Sequence, residues 1–211
     1  MVIPANKGKR VVQALIRAIV TNRDYLSQVD GLIGDGDHGI NMSKGFEMAG
    51  KRLTEDSFEK AFETLGLTLL DDIGGSMGPL YGSLFLGMSS IDTMDGFSKE
   101  TFGEMLLAAQ REVEAISPAR PGDKTLMDVL VPAVKAYREA ISVGKDFRDC
   151  LCRMKQAAET GRDSTRDMVA KIGRASRLGE RSRGVLDAGA ASCCIVLTVI
   201  AGELNQILME G

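Results

Sequence analysis

The sequence predicts an all-α protein folded as one domain over residues 1–211. Apolar residues recur at helical spacing through almost every segment, and alternating runs of β-branched and aromatic residues are scarce. No internal repeat or low-complexity linker divides the chain. Hydrophobic residues reach 44% of the 211, enough for a sizeable core without disulfide or metal staples. The net charge of −3 leaves no overall electrostatic footprint for nucleic acid.

Val11, Val12, Leu15, Ile16, Ile19 and Val20 form the stripe of the first helix. Lys7, Lys9 and Arg10 precede it as in a signal peptide, but Arg17 interrupts the apolar run and no small-residue cleavage pattern follows. An amphipathic helix is the reading. Met42, Phe46, Met48 and Ala49 open a second helix, and Phe58, Phe62, Leu65, Leu69 and Leu70 mark a third. The segment GGSMGPLYGSLFLGM, from Gly74, reads as a fourth. Glycine inside a helix costs roughly 1 kcal/mol against alanine, so its glycines need a reason. Close packing of another helix and close approach of a nucleotide both remain open.

Ser98 is placed to cap a helix reaching Ala115, and Ser117–Gly122 is a break. A further helix spans Leu126–Ala140, with Pro132 expected to kink it. Asp146–Lys171 reads as one long helix, Gly173–Gly189 as a loop, and Ala190–Leu208 as the most buried helix. No apolar run is expected to reach membrane-spanning length. Cys150, Cys152, Cys193 and Cys194 lack zinc-site spacing and read as structural thiols in a reducing cytoplasm.

The chemistry concentrates in DGLIGDGDHGIN, Asp30 to Asn41, which holds three carboxylates, four glycines and the single histidine of the chain. Asp35 and Asp37 alternate with glycines that permit unusual backbone geometry, and Asp30 can close on the same point. Hard oxygen donors without a soft ligand suit Mg²⁺ or Ca²⁺. The calcium-loop template fails, because counting from Asp35 puts Ile40 where glycine is required and Phe46 where glutamate is required. A helix begins at Gly39-Ile40-Asn41, and its free N–H groups favour an anion. Metal beside a helix N-terminus is a site for a polyphosphate, favoured over a solvated Asp/Gly turn. His38 is read as a hydrogen-bond partner of phosphate, ahead of a helix-capping or phosphohistidine role.

Two weaker motifs follow. Pro121-Gly122-Asp123-Lys124-Thr125 lacks the spacing of a phosphate loop, and a turn capping the next helix explains it equally well. In KIGRASRLGERSRG, Lys171, Arg174, Arg177, Arg181 and Arg183 face one acid, Glu180, as a solvated loop, a phosphate-facing lid or an acidic-partner surface. Asp187-Ala188-Gly189 then opens the final helix.

Taken in order, DGLIGDGDHGINM, GGSMGPLYG, PGDKT and GRASRLGERSRG followed by DAGA resemble the nucleotide-binding L subunits of dihydroxyacetone (glycerone) kinase. The first and last motifs are specific, the others count by their order, and the resemblance covers essentially the whole chain. It implies an eight-helix antiparallel (up-and-down) barrel closed at one end by the nucleotide site. It implies two Mg²⁺ ions held by Asp30, Asp35 and Asp37 on the phosphates of ADP or ATP. It also implies nucleotide contacts from His38, Gly39, Ile40 and Asn41, from Ser76, Met77 and Gly122, and from Arg174, Asp187, Ala188 and Gly189.

Three positions depart from that pattern. Met77 stands where serine is usual, Ala188 replaces a proline, and Leu126 replaces a methionine. The resemblance further implies a K subunit that carries dihydroxyacetone or a related short ketose, without which this chain is inactive. An M subunit would recharge ADP from phosphoenolpyruvate, or ATP would exchange freely. A transcription regulator and a homodimer are further partners it suggests, with neither nucleic acid nor membrane. The form D-G-D-H-G argues against the related domain of fatty acid kinase.

Overall fold

The computed structural model describes residues 1–210. Its helices are α1 Gly8–Thr21, α2 Arg23–Gly31, α3 His38–Arg52, α4 Phe58–Asp72, α5 Met77–Ser89, α6 Lys99–Ile116, α7 Met127–Ser142, α8 Phe147–Ser164 and α9 Ala188–Glu210. Among the described residues there is no strand, only an isolated bridge between Ile3 and Phe97. Asn22 alone separates α1 from α2, and hydrogen bonds from Asn22 N to Ala18 O and from Leu26 N to Asn22 O carry the backbone across it. The two make one bent rod, so eight rods result.

Each rod packs on the next around a ring, and α9 returns to α1 and α2. Arg10, near the start of α1, reaches Glu203 at 3.0 Å, Gln206 at 3.2 Å and Glu210 at 2.6 Å near the end of α9. The start of α1 therefore lies on the end of α9, and the barrel closes antiparallel. Because the rods alternate in direction, the connections at 32–37, 73–76, 117–126 and 165–187 share one end. Those at 53–57, 90–98 and 143–146 share the other.

One continuous core runs from Ile3 to Ile207. All seven phenylalanines are buried in it and linked ring to ring. Phe97, at the end away from the acidic loop, packs on Phe58 at 4.7 Å, Phe102 at 6.0 Å and Phe147 at 6.4 Å between ring centres. Helix α9 is buried at Ala190, Cys193, Val196, Leu197, Ile200 and Leu204, positions that cover more than one of its faces. By length and composition it could span a membrane, contrary to the expectation that no apolar run would reach that size. Its apolar character is used instead against α1, α2, α7 and α8.

Several boundaries differ from expectation. Helix α8 stops at Ser164 rather than Lys171, where the carbonyls of Thr165 and Met168 are taken by the amine of Lys124. Helix α5 starts at Met77, leaving Gly74 to Ser76 outside it. Pro132 lies inside α7 without ending it, and the carbonyl it cannot bond, that of Asp128, packs against Gly161 of α8. Ser98 caps α6 as expected, accepting from Glu100 N and Thr101 N. Cys150, Cys193 and Cys194 are buried, whereas Cys152 is exposed, so a packing role does not extend to it.

Replacing Phe97 by alanine should cost about 3–5 kcal/mol, because a ring that touches three others leaves a cavity they cannot fill. Thermal denaturation should show a Tm lower by roughly 10 °C. A shift within about 2 °C would mean that the phenylalanine network carries little of the stability.

Candidate functional site

The acidic loop turns back on itself immediately after α2. Ile33 N and Gly34 N both donate to Asp30 O, at 3.1 and 2.6 Å, and Gly36 takes a φ of +77°. Asp37 occupies the N-cap position of α3 but its side chain caps nothing, so its carboxylate stays available. Oxygens of Asp30, Asp35 and Asp37 lie within 4.8 Å of one another. A Cβ on Gly39 would sit 1.9 Å from Arg23 O, so only glycine lets α3 begin this close to α2 and hold both ends of the loop together.

Three carboxylates this close repel one another unless a cation intervenes. Arg174, from the 165–187 connection, supplies one, its guanidinium meeting the Asp35 carboxylate. The donor set also fits Mg²⁺. It consists only of hard oxygens, and it is open enough for water and phosphate oxygens to complete the shell.

His38 N donates to the Asp30 carboxylate at 3.4 Å, while the His38 ring turns inward. Its Nε2 lies 2.8 Å from Ser192 Oγ in α9. Ser192 Oγ lies 2.6 Å from the Tyr81 hydroxyl of α5, and Tyr81 also donates to Gly189 O at 3.2 Å. This polar chain joins α3, α5 and α9. Burial lowers the His38 pKa to about 4 against the opposing pull of Asp30, so the ring is neutral near pH 7. One ring nitrogen is thus already committed to Ser192, leaving only Nδ1 for the expected phosphate contact.

The other connections divide the glycine question of the sequence. A Cβ on Gly78 would meet Ile73 O at 2.1 Å and one on Gly82 would meet Leu70 Cβ at 2.9 Å, so these two glycines serve helix packing. Cβ atoms on Gly74 and Gly75 would meet nothing within 4 Å. Gly75 has a φ of +73°, but nothing within the chain accounts for Gly74, which leaves room for a ligand at this end. Ser76 beside them is exposed, and Met77 is half-buried against the core.

Gly122, with a φ of +95°, donates to Asp128 Oδ1 at 2.5 Å, and Thr125 N donates to Asp128 Oδ2 at 2.7 Å. Thr125 Oγ1 in turn accepts from Met127 N at 3.2 Å, so the pair, carried in the sequence as T-x-x-D, ties the turn to the start of α7. Lys124 is fully buried and faces away from the acidic cluster, into the base of the 165–187 connection. Asp187 caps α9, accepting from Ala190 N at 2.7 Å. Burial among its neighbours raises its pKa to about 7.

The structure therefore joins Asp30, Asp35, Asp37, His38 and Arg174, and links Gly189 to His38 through Ser192 and Tyr81. Ile40 is exposed and Asn41 half-buried on the first turn of α3, Ala188 is buried, and Ser76 stands apart as a rim residue. Tyr81, Ser192 and Asp128 were missed. Only Asp128 left a signal in the sequence, because Ser192 meets His38 and Tyr81 meets Ser192 across 154 and 111 residues of chain.

The up-and-down helical barrel of this chain is similar in fold to part of the dihydroxyacetone kinase from C. freundii, whose structure was determined in complex with AMP-PNP and Mg²⁺. The chain matches that structure with a TM-score of 0.65 at 20% identity, over 92% of its own length and 33% of the kinase, so it spans about a third of that protein. The DAK2 domain model matches residues 32–202. The chain is 35% identical over 204 residues to the ADP-binding subunit DhaL of PEP-dependent dihydroxyacetone kinase 2 from Listeria innocua, covering 93% of each. It is 34% identical to the corresponding DhaL subunit from Escherichia coli, over 86% of this chain and 88% of that one. The chain belongs to the DAK2-domain family of dihydroxyacetone kinase L subunits.

Two groups should show opposite pH dependence. Unfolded His38 takes up a proton near pH 6.5 but native His38 only near 4, so its contribution to stability falls as pH drops through that window. Unfolded Asp187 is protonated only below about 3.8 but native Asp187 below about 7, so its contribution rises over the same range. In EDTA-treated protein, His38→Gln should gain stability on acidification relative to wild type, and Asp187→Asn should lose it. Urea midpoints between pH 7 and 4.5 measure both, and parallel profiles would contradict these protonation states.

Asp35→Asn should weaken Mg²⁺-dependent nucleotide binding by more than about tenfold, since even outer-shell changes at metal sites cost that much. The circular dichroism spectrum should be unchanged. Unaltered affinity by calorimetry would defeat the metal assignment.

Proposed function

We propose that the chain is the nucleotide-carrying phosphotransferase subunit of a dihydroxyacetone kinase. The observation that carries this is the meeting of the Asp30, Asp35 and Asp37 carboxylates within 4.8 Å of one another at the start of α3. That supports a cation site beside the N-terminus of α3, at the end of the barrel where all four motif-bearing connections fall. Two Mg²⁺ ions held by these aspartates would neutralise phosphate charge and orient a terminal phosphoryl group toward an incoming hydroxyl.

The chain's own residues bind and orient. Asp30, Asp35 and Asp37 would hold the cations, and the first turn from His38 to Asn41 would receive phosphate oxygens, chiefly on the N–H groups of Gly39 and Ile40, since those of His38 and Asn41 already donate to Asp30 and Asp37. Arg174 would add positive charge from the opposite side. Gly74 and Gly75 with Ser76, Met77 and Gly122 would border the nucleotide, and Asp187, Ala188 and Gly189 would close its remaining side. Met77 offers a thioether where a hydroxyl is usual, which removes one donor to phosphate. The relatives are named as ADP-binding subunits, which supports a separate K subunit that would present dihydroxyacetone.

The relatives from Listeria innocua and Escherichia coli are named PEP-dependent and ADP-binding, and this chain covers 93% and 88% of their lengths. That supports ADP as a resident cofactor recharged by an M subunit. Denaturing the purified protein should release ADP, and washing with EDTA beforehand should remove it. Addition of a K subunit, an M subunit and phosphoenolpyruvate components should then phosphorylate dihydroxyacetone. An empty protein that binds added Mg·ATP would replace the relay by an exchangeable donor, and one that binds neither nucleotide would end the proposal.

A further inference from the structure

Among the described residues Lys124 is the one lysine that is fully buried, yet the acidic cluster does not receive it. Its φ of +62° places it in the left-handed region, which residues with side chains adopt at a cost. From there its ammonium group donates to Thr165 O at 2.7 Å, Met168 O at 3.3 Å and Val185 O at 2.6 Å. Three donors meet three acceptors, which is full satisfaction for an ammonium ion. Burial lowers its pKa, and the nearby charges of Asp187 and Asp128 oppose that.

The three carbonyls are the two roots of the connection between α8 and α9. Thr165 and Met168 lie where the chain leaves α8, and Val185 where it returns to α9. The same stem is closed by Gly184 N to Arg166 O at 2.8 Å and Asp187 N to Thr165 Oγ1 at 3.1 Å. Further out, Ala170 N donates to Ser182 Oγ at 2.9 Å. Lys171 ties the connection to the turn before α7, through its N–H to Asp123 O at 3.2 Å and its amine to Asp123 Oδ1 at 3.4 Å. At the tip stands Arg174 against Asp35.

We infer that Lys124 is a positioning residue that pinches both roots of the 165–187 connection onto the start of α7 and so holds Arg174 over the aspartate cluster. Each carbonyl it holds would otherwise face water or a shifted backbone, and the arm carrying Arg174 would be free to swing. The exposed arginines of this loop provide the charge, and Lys124 fixes where one of them acts. The nucleotide arm of this inference rests on the function proposed above; the loop arm does not.

The test uses full-length wild type, Lys124→Met, Lys124→Gly, Arg174→Ala and the Lys124→Met/Arg174→Ala double variant. Methionine keeps an apolar stem of similar length without the amine, while glycine removes the side chain and relieves the left-handed backbone. Amide hydrogen exchange should quicken at least tenfold at Ala170, Gly184 and Asp187 in the Lys124 variants and stay unchanged in the barrel helices. Calorimetry should show Mg·ADP affinity lowered at least tenfold by Lys124→Met in the wild-type background, and by less than twofold once Arg174 is already absent. Wild-type exchange in both Lys124 variants overturns the inference, as does an equal loss of affinity in both Arg174 backgrounds. Loss of cooperative unfolding in both Lys124 variants overturns it too, because Lys124 would then support the barrel rather than the loop. If wild type itself binds no Mg·ADP, the proposed function fails, and the exchange data alone decide whether Lys124 holds the connection.

Discussion

The closure of the barrel by α9 is the constraint on which the functional end depends. A helix buried on several faces must be surrounded, and α9 is enclosed by α1 and α2 on one side and α7 and α8 on the other. That closes a ring of eight rods, and an even number of alternating rods sends every second connection to the same end. Four segments separated from one another by about 35 to 40 residues of chain are thereby brought to one end. Burial of apolar surface, which has no direction of its own, is what gathers a polar site.

The gathered site is a problem in charge. Asp30, Asp35 and Asp37 are fixed close together by a turn whose geometry depends on Gly36 and on the contact of Gly39 with α2. Repulsion within the cluster makes the loop a receptor for cations. Arg174 answers part of it from across the rim, and divalent metal with phosphate suits the rest. His38 does the opposite, since its ring is drawn into the protein against Ser192 and kept neutral by burial. Its backbone serves the acidic loop while its side chain bonds α9, so a single residue couples the acidic turn to the helix that closes the barrel.

Much of the fold was legible because helical periodicity is a local property. The stripes of α1, α4 and α6 and the cap at Ser98 need only neighbours within a few residues. Where the reading missed, the cause was distant. Helix α8 was drawn too long because nothing in residues 146–171 announces that an amine from residue 124 removes the carbonyls of Thr165 and Met168. Lys124 itself looked like a phosphate-loop lysine with wrong spacing, and its real partners lie 41 to 61 residues away in the chain.

By itself the sequence determined the all-helical class, the single core, the acidic loop with its hard-oxygen chemistry and, through four ordered motifs, the family. These depend on residue type and short spacing, which a linear chain displays. Only the tertiary structure decided that Arg174 meets Asp35, that the His38 ring belongs to Ser192 and Tyr81, and which glycines serve packing and which stand open. Those are contacts between segments far apart in the chain. They exist only once the apolar faces have chosen their partners, and no local pattern encodes that choice.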